Sequence, residues 1–385
     1  MGDALAKLEA AAWRAVVPLY VTVELTRRCN LNCDHCYVDH HIKDQLSVEQ
    51  LDKIFADVAR AGGLFLGFTG GEVGLRKDLH EIIAAARQYR FNVKLLSTAT
   101  LFSQEDIERL AASGVRQVKV SIYSASPAVH DRVVRRAGAH ALSLRGIRRL
   151  LDAGIEVTMA CPIMRENKDE IASIVALADS LGIRAEFDGR VNPMENGGTD
   201  PCSLRITAGE LAASFNAAPG LAEYLMKGGS SWENGGLLPP RDPDEHVCSA
   251  GNTLCFIDSR GDVFPCVWWR EKIGNALSDG FYELWKTSRV FARIRQFKLK
   301  DLHECQDCSL QQHCSVCPGV GYQERGDAAL AGSSVCNTAA ANKLFYDYER
   351  HRVPYEDPGY VVLGATGAKG VARGMSKRTK LPILG

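Results

Sequence analysis

Apolar and helix-patterned segments alternate along the first half of the chain, which is the order expected of βα units. The predicted strands are VPLYVTVEL (17–25), LFLGFTGGE with its turn (64–72), NVKLLSTATL (92–101), QVKVSIYS (117–124), EVTMACPIM (156–164) and LGIRAEF (181–187). Six such units are too few for a closed eight-fold barrel. We therefore expect an α/β fold, a partial (β/α)6 TIM-like barrel whose site lies at the carboxyl ends of the strands.

Helix and turn signals divide the rest of the chain. LSVEQLDKIFADVARAG (46–62) is a helix that Ser47 is placed to cap, and DLHEIIAAARQY (78–89) is a second. Turn residues bracket one helical stretch near 209–215. The predicted organisation is a lead-in (1–17), the barrel (18–200), a linker with a helix (201–247), a small irregular cysteine-rich domain (248–345) and a tail (346–385).

Composition and charge exclude several classes of protein. Lys+Arg and Asp+Glu both number 46, so no general attraction to nucleic acid or to a membrane surface is expected. The N-terminus lacks the pattern of a signal peptide, and no run approaches the roughly 18 apolar residues of a membrane span. These features predict a cytoplasmic protein, in which clustered cysteines more often bind metal than form disulfides.

Eleven of the thirteen cysteines fall into three ordered groups. The groups are Cys29, Cys33 and Cys36; Cys248, Cys255 and Cys266; and Cys305, Cys308, Cys314 and Cys317 followed by Cys336. Three thiolates on one loop can hold three irons of a 4Fe–4S cube and leave the fourth iron open, and the other eight thiolates match two closed cubes. A set of disulfides, or zinc at one of the groups, remains an alternative. Cys161 and Cys202 lie outside the groups.

The first group resembles the signature of radical S-adenosylmethionine (SAM) enzymes. Cys29-x3-Cys33-x2-Cys36 is followed by the aromatic Tyr37, and Gly70-Gly71-Glu72 after the second predicted strand is similar to the GGE motif that holds the amino group of SAM. The resemblance implies a 4Fe–4S cluster whose open iron chelates SAM. It also implies one-electron cleavage of SAM to a 5′-deoxyadenosyl radical.

Further SAM contacts are implied by the same resemblance. Ser121 matches the serine that reaches the ribose in relatives, and Arg135 lies in a stretch whose arginine can pair with the SAM carboxylate. The third strand departs from the family, because Ser97-Thr98-Ala99 replaces the common Thr-Asn-Gly. Thr98 can supply only part of the hydrogen bonding of the missing asparagine.

The later cysteines resemble the SPASM extension of that superfamily, which carries two auxiliary 4Fe–4S clusters. The order Cys248, Gly261, Cys266 fits its pattern, although Cys314-x2-Cys317 is one residue shorter than usual. By resemblance, the first auxiliary cluster is held by Cys248, Cys255, Cys266 and Cys317. The second is held by Cys305, Cys308, Cys314 and Cys336.

Membership of this family implies a peptide maturase. SPASM proteins mostly crosslink or oxidise ribosomally made peptides, and some oxidise small molecules or mature sulfatases. The sulfatase-maturing members place an Asp base where this chain has Val267, which disfavours that activity here. We expect a peptide substrate, brought by a separate leader-binding protein or bound directly, and a flavodoxin or ferredoxin as reductant. A short open reading frame beside the gene favours a peptide, and a sugar-biosynthesis operon favours a small molecule.

Overall fold

The six predicted strands lie side by side in chain order in the computed structural model, which describes residues 2–41, 45–217, 221 and 237–351. They are β1 (Tyr20–Thr26), β2 (Phe65–Gly70), β3 (Asn92–Ser97), β4 (Gln117–Ser121), β5 (Glu156–Pro162) and β6 (Arg184–Asp188). All five pairings between neighbours are parallel. The partial α/β barrel is confirmed, and the carboxyl ends of its strands meet at one edge.

Helices connect these strands and cover the outer face of the sheet. They are α1 (Gly2–Ala15), α2 (Val48–Arg60), α3 (Leu79–Gln88), α4 (Gln104–Ala112), α5 (Pro127–Val133), α6 (Ala139–Asp152) and α7 (Ile171–Ser180). In α2 the hydroxyl of Ser47 accepts from the Gln50 N–H, and the Gln50 side chain accepts from the Ser47 N–H. This capping box fixes the start of α2, as the sequence predicts.

The cysteine-rich region contains short strands, and the first of them belongs to the barrel. β7 (Leu254–Ile257) pairs in parallel with β1, and β8 (Asp262–Phe264) and β9 (Gly274–Asn275) follow antiparallel. The sheet therefore has nine strands in the order β6-β5-β4-β3-β2-β1-β7-β8-β9. These strands are only four, three and two residues long, so the domain is short in regular structure, and one apolar run of four residues was enough to extend the sheet.

In the part that the structure describes, the C-terminal half contains five more helices, the last of which packs back onto the helix in the segment predicted as a linker. They are α8 (Ala208–Phe215), α9 (Phe281–Thr287), α10 (Arg289–Ile294), α11 (Pro318–Arg325) and α12 (Ser333–His351). α8 and α12 share one apolar cluster, in which the rings of Phe215 and Phe345 lie 6.0 Å apart. The predicted tail beyond His351 lies outside the described residues. No helix among the described residues is long and apolar enough to cross a membrane.

Candidate functional site

The GGE turn packs directly against the segment that leads into the first cysteine group. The N–H of Gly71 donates to the Thr26 carbonyl over 2.8 Å, and the N–H of Glu72 donates to the Arg28 carbonyl over 2.9 Å. A Cβ on Gly70 would lie 2.1 Å from the Thr26 oxygen, and one on Gly71 would lie 2.3 Å from the Arg28 oxygen. Two glycines are therefore required for β1 and β2 to bring both motifs together.

A Gly71→Ala substitution is expected to disrupt this packing. Its methyl group would collide with a backbone oxygen that cannot rotate away, so we expect a loss of roughly 1–3 kcal/mol of stability together with loss of SAM binding. Gly67→Ala, on the same strand, is the matched control because its nearest neighbour would be 3.5 Å away. Thermal unfolding and SAM equilibrium dialysis measure both effects. Equal stability and SAM affinity in the two variants would contradict the close approach.

The thiols of the cysteine loop lie close together in a shielded position. Burial raises the pKa of the Cys36 thiol to about 11, and it also raises the pKa of Cys33, where charges on Cys36 and Cys29 add to the effect. The Cys29 sulfur accepts the N–H of Leu31 over 3.4 Å. The loop thus presents three thiols to one space, and bound metal ions would have to displace their protons.

Tyr37 links this loop to the cysteine-rich region. Its ring meets the ring of Trp268 edge-on, with 4.8 Å between centroids, and Trp268 lies two residues after Cys266. The Tyr37 carbonyl accepts the N–H of Glu195, from the segment that follows β6. The SAM-type loop and the first auxiliary group therefore lie next to each other.

Glu72 is buried with 1% exposure, and the chain itself surrounds its carboxylate with donors. Oε1 accepts from Gly74 N–H and from the Ser97 hydroxyl, over 2.9 and 2.6 Å. Oε2 accepts from both the N–H and the hydroxyl of Thr98, over 2.7 and 2.5 Å. The predicted pair Glu72 and Thr98 is thus joined across the ends of β2 and β3.

The structure brings Ser121 and Arg135 to the same end of the barrel. Ser121 is the last residue of β4, and its side chain is hydrogen bonded to the hydroxyl of Tyr123, whose pKa burial raises. Arg135 has a left-handed backbone (φ 53°), forms an ion pair with Asp34 of the cysteine loop and is 61% exposed. Arg135 therefore contacts the loop through Asp34.

The four cysteines predicted to hold the second auxiliary cluster line one cavity between the loop at 305–314 and α12. Cys305, Cys308, Cys314 and Cys336 all face it, together with apolar neighbours such as Leu310. Burial raises the pKa of the Cys336 thiol well above its usual value, and charges on the other three cysteines raise it further. The four thiols meet as the sequence predicts.

Of the four cysteines predicted to hold the first auxiliary cluster, the structure brings three together, Cys248, Cys266 and Cys317. Burial, with the nearby charges of Cys248 and Cys317, raises the pKa of the Cys266 thiol to about 12. Cys317 also acts on the thiol of Cys248. A Cβ on Gly319 would lie 3.2 Å from the Cys266 sulfur, so the start of α11 approaches this thiol closely. The short spacing between Cys314 and Cys317 does not keep Cys317 away.

Cys255 is the exception among the cysteines assigned to the first auxiliary cluster, because the structure places it apart from the other three thiols. Residue 255 lies within β7 and pairs with Val21, so strand alternation turns its side chain with Ile257 into the barrel core. Burial raises the pKa of this thiol, and Arg295 is the one charged group acting against that shift. The two cysteines outside the groups, Cys161 and Cys202, are buried elsewhere, with no other described thiol acting on them.

Backbone donors point at two of the thiols of the first auxiliary group. Backbone N–H groups of Ala250 and Trp269 donate to the sulfurs of Cys248 and Cys266, over 3.4 and 3.2 Å, and such donors stabilise cluster thiolates. Within the described ranges, no three His, Cys, Asp or Glu side chains lie close enough to share one metal ion.

Sequence reasoning missed a buried charge network at the start of the cysteine loop. Arg27, with a 3% exposed side chain, contacts Glu24, Glu195 and Asp258 over 2.8, 3.0 and 3.3 Å. Arg270 contacts the same Glu195 over 2.9 Å. The network ties β1, the end of β7 and the segment after β6 together around Cys29. The sequence signal that could have indicated this network is Glu24, a carboxylate within the apolar run VTVEL.

Sequence comparisons agree with this arrangement. Residues 23–178 match the Radical SAM superfamily, and residues 248–309 match the SPASM iron-sulfur cluster-binding domain. The PqqA peptide cyclase of Rhodopseudomonas palustris is 32% identical over 361 residues, covering 86% of this chain and 89% of that protein. The AdoMet-dependent heme synthase of Nitratidesulfovibrio vulgaris is 28% identical over 350 residues, covering 82% and 90%.

A solved structure shares the fold. Streptococcus suis SuiB bound to S-adenosylmethionine superposes with a TM-score of 0.65 at 16% identity, covering 83% of this chain and 77% of that chain. The superfamily match includes the loop with three cysteines and the GGE turn, and the SPASM match includes the cysteines from Cys248 to Cys308. The chain belongs to the radical SAM superfamily and carries its SPASM iron–sulfur extension.

Proposed function

We propose that the protein is a radical SAM/SPASM oxidoreductase that oxidatively crosslinks or dehydrogenates a ribosomally made peptide. The observation that carries this proposal is the 32% identity with a PqqA peptide cyclase across 86% of the chain. The contact between Tyr37 and Trp268 supports it. Through this contact the cysteine loop lies beside the first auxiliary group, so that one substrate can reach both sites. Bound SAM and its cluster supply a 5′-deoxyadenosyl radical.

The residues of the chain divide the work between the SAM site and the auxiliary sites. Cys29, Cys33 and Cys36 hold the SAM cluster, and Gly70 and Gly71 keep the neighbouring turn close enough to orient SAM. The later cysteines would hold auxiliary clusters that could accept the electron remaining on the substrate after hydrogen abstraction. With them, three 4Fe–4S clusters are bound per chain.

Electrostatics at the end of β6 support electron acceptance by the auxiliary sites. Arg190 contacts Asp188 through two nitrogens, each 2.8 Å from a carboxylate oxygen. The Asp188 carboxylate raises the pKa of Arg190, and the Cys317 and Cys314 thiolates contribute to the same shift. The Asp188 carboxylate offsets part of this charge, and the remaining attraction of the guanidinium for the thiolates of both auxiliary groups favours their reduced, more negative state.

The first auxiliary site has an additional feature that bears on the bond formed. The chain brings three thiols to it, Cys248, Cys266 and Cys317, and a cube has four corners. The fourth corner is left to a ligand other than cysteine of this chain. A thiol on the substrate peptide suits that position, which favours thioether formation among the possible crosslinks.

A small-molecule oxidation is the second candidate. The match to an AdoMet-dependent heme synthase covers 90% of that protein, so a tetrapyrrole is a specific alternative substrate. Sulfatase maturation ranks below both, because Val267 follows Cys266 and cannot act as a base. A flavodoxin or ferredoxin supplies the electron for SAM cleavage, and a leader-binding protein presents the peptide where the enzyme needs one.

The test is product mass after incubation with SAM, reduced flavodoxin and the peptide encoded beside the gene. We expect a loss of about two mass units per modification, because abstraction of two hydrogens forms a new bond or double bond. A gain of about fourteen mass units would indicate methyl transfer and contradict the proposal. An unchanged peptide together with an oxidised tetrapyrrole would establish the second candidate instead.

A further inference from the structure

The carboxylate of Glu72 has no acceptor capacity left for a ligand. Each carboxylate oxygen has about two lone-pair sites, and each already accepts two hydrogen bonds within the barrel end. Two of the four donors are backbone N–H groups, at Gly74 and Thr98, which donate only. The Glu72 side chain therefore leaves no free acceptor for the amino group of SAM, and the side chains next to Glu72 become candidates for that contact.

A chain of hydrogen bonds runs from Glu72 to the cysteine loop, and its direction is fixed. Thr98 donates its hydroxyl hydrogen to Glu72 Oε2, since an ionised carboxylate accepts only. Thr100, whose Oγ1 lies 2.8 Å from that of Thr98, must then donate to Thr98. Because the Thr100 hydroxyl hydrogen is used in this bond, Thr100 Oγ1 can only accept a hydrogen bond from Asn30 Nδ2, which lies 2.9 Å away.

This direction determines how the amide of Asn30 is turned. The NH2 group faces Thr100, so the Oδ1 oxygen must face the other way. Oδ1 is shielded from solvent and has no hydrogen-bond partner in the part of the chain that the structure describes. Arg136 donates to the Asn30 backbone carbonyl over 3.2 Å, which holds the residue in place without occupying Oδ1.

We propose that Asn30 Oδ1 accepts a hydrogen bond from the amino group of SAM, and that Glu72 acts through Thr98 and Thr100 to hold the Asn30 amide in this orientation. Asn30 directly follows Cys29, a proposed ligand of the SAM cluster, so the unpaired acceptor lies on the loop where SAM is held. A shielded acceptor without a donor is costly, and a bound amino group removes that cost. The inference rests on SAM being the cofactor.

Substitution of Thr100 separates this arrangement from a direct contact with Glu72. Thr100→Val keeps the shape of the side chain and leaves the carboxylate of Glu72 in place, but it removes the acceptor that orients Asn30. We expect Thr100→Val and Asn30→Ala each to raise the dissociation constant for SAM by about tenfold, since each removes one charge-assisted or buried hydrogen bond. Thr100→Ser, which retains the hydroxyl, is expected to keep the affinity of the unaltered protein.

Asn32→Ala is the matched control, because Asn32 is an exposed asparagine of the same loop. SAM binding is measured by equilibrium dialysis on the anaerobically reconstituted, substrate-free protein, with iron content as the check that the cluster is intact. Unchanged affinity in Thr100→Val with full iron overturns the proposal. Failure of the proposed function is distinguishable: it would leave these SAM affinities as expected and remove only the peptide product.

Discussion

Replacing Cys29, Cys33 and Cys36 together by alanine should abolish SAM cleavage and lower bound iron from about twelve to about eight per chain. The three thiols share one shielded space beside the GGE turn, and the other two cysteine groups lie on separate elements. Loss of the first group therefore leaves the auxiliary sites intact. Iron assay after anaerobic reconstitution and chromatography of 5′-deoxyadenosine measure the two effects.

Cys202→Ala is the control for this experiment. Cys202 is a buried cysteine beside Arg205, and it belongs to none of the three groups. We expect about twelve irons and normal SAM cleavage in this variant, with at most a small loss of stability from the missing sulfur atom. A full iron load in the triple variant would show that the cysteine loop does not hold a cluster.

The barrel was predictable because its strands and helices have strong local signals. The six apolar runs are all strands in the structure. Outside these strands, helices α2 and α8 begin at capping boxes formed by Ser47 and Thr207. The GGE turn and the cysteine loop were placed correctly at one edge, since the carboxyl ends of parallel strands meet there. In these elements, local propensity and the global fold agree.

The position of β7 was not predictable from the same signals. Leu254–Ile257 is a run of four residues whose partner, β1, precedes it by more than two hundred positions. Pairing at that separation is decided by tertiary packing, not by local pattern. Because Cys255 lies on this strand, the position of β7 bears directly on whether Cys255 is a cluster ligand.

Side-chain networks were the other part that spacing alone left open. The motif placed Glu72 near SAM, and the structure adds that Ser97, Thr98 and Gly74 already occupy its oxygens. Asn30 stood beside Cys29 in the sequence without a role, because the direction of its hydrogen bonds depends on β3. Which buried polar atoms lack a hydrogen-bond partner depends on the three-dimensional arrangement and cannot be read from the sequence.

Cys266→Ala and Cys255→Ala should behave differently, although the sequence pattern gives both residues the same role. Cys266 lies with Cys248 and Cys317, so its loss is expected to remove the first auxiliary cluster and lower iron from about twelve to about eight per chain. Cys255 faces the barrel core beside Val21 and Ile257, so its alanine variant should keep about twelve irons. Only the first variant should lose turnover of the peptide, while both still cleave SAM.

The stability of the folded protein also distinguishes the two positions, because a loss of core packing is expected at Cys255. Cys255→Ala leaves a small cavity in the core and is expected to cost about 1 kcal/mol, seen as a lower unfolding temperature of the cluster-loaded protein. Cys255→Ser is a sharper form, because it places a hydroxyl in an apolar site and should destabilise further at the same iron content. Loss of about four irons from the Cys255 variants would mean that this thiol is the fourth ligand after all and that β7 rotates when the cluster binds.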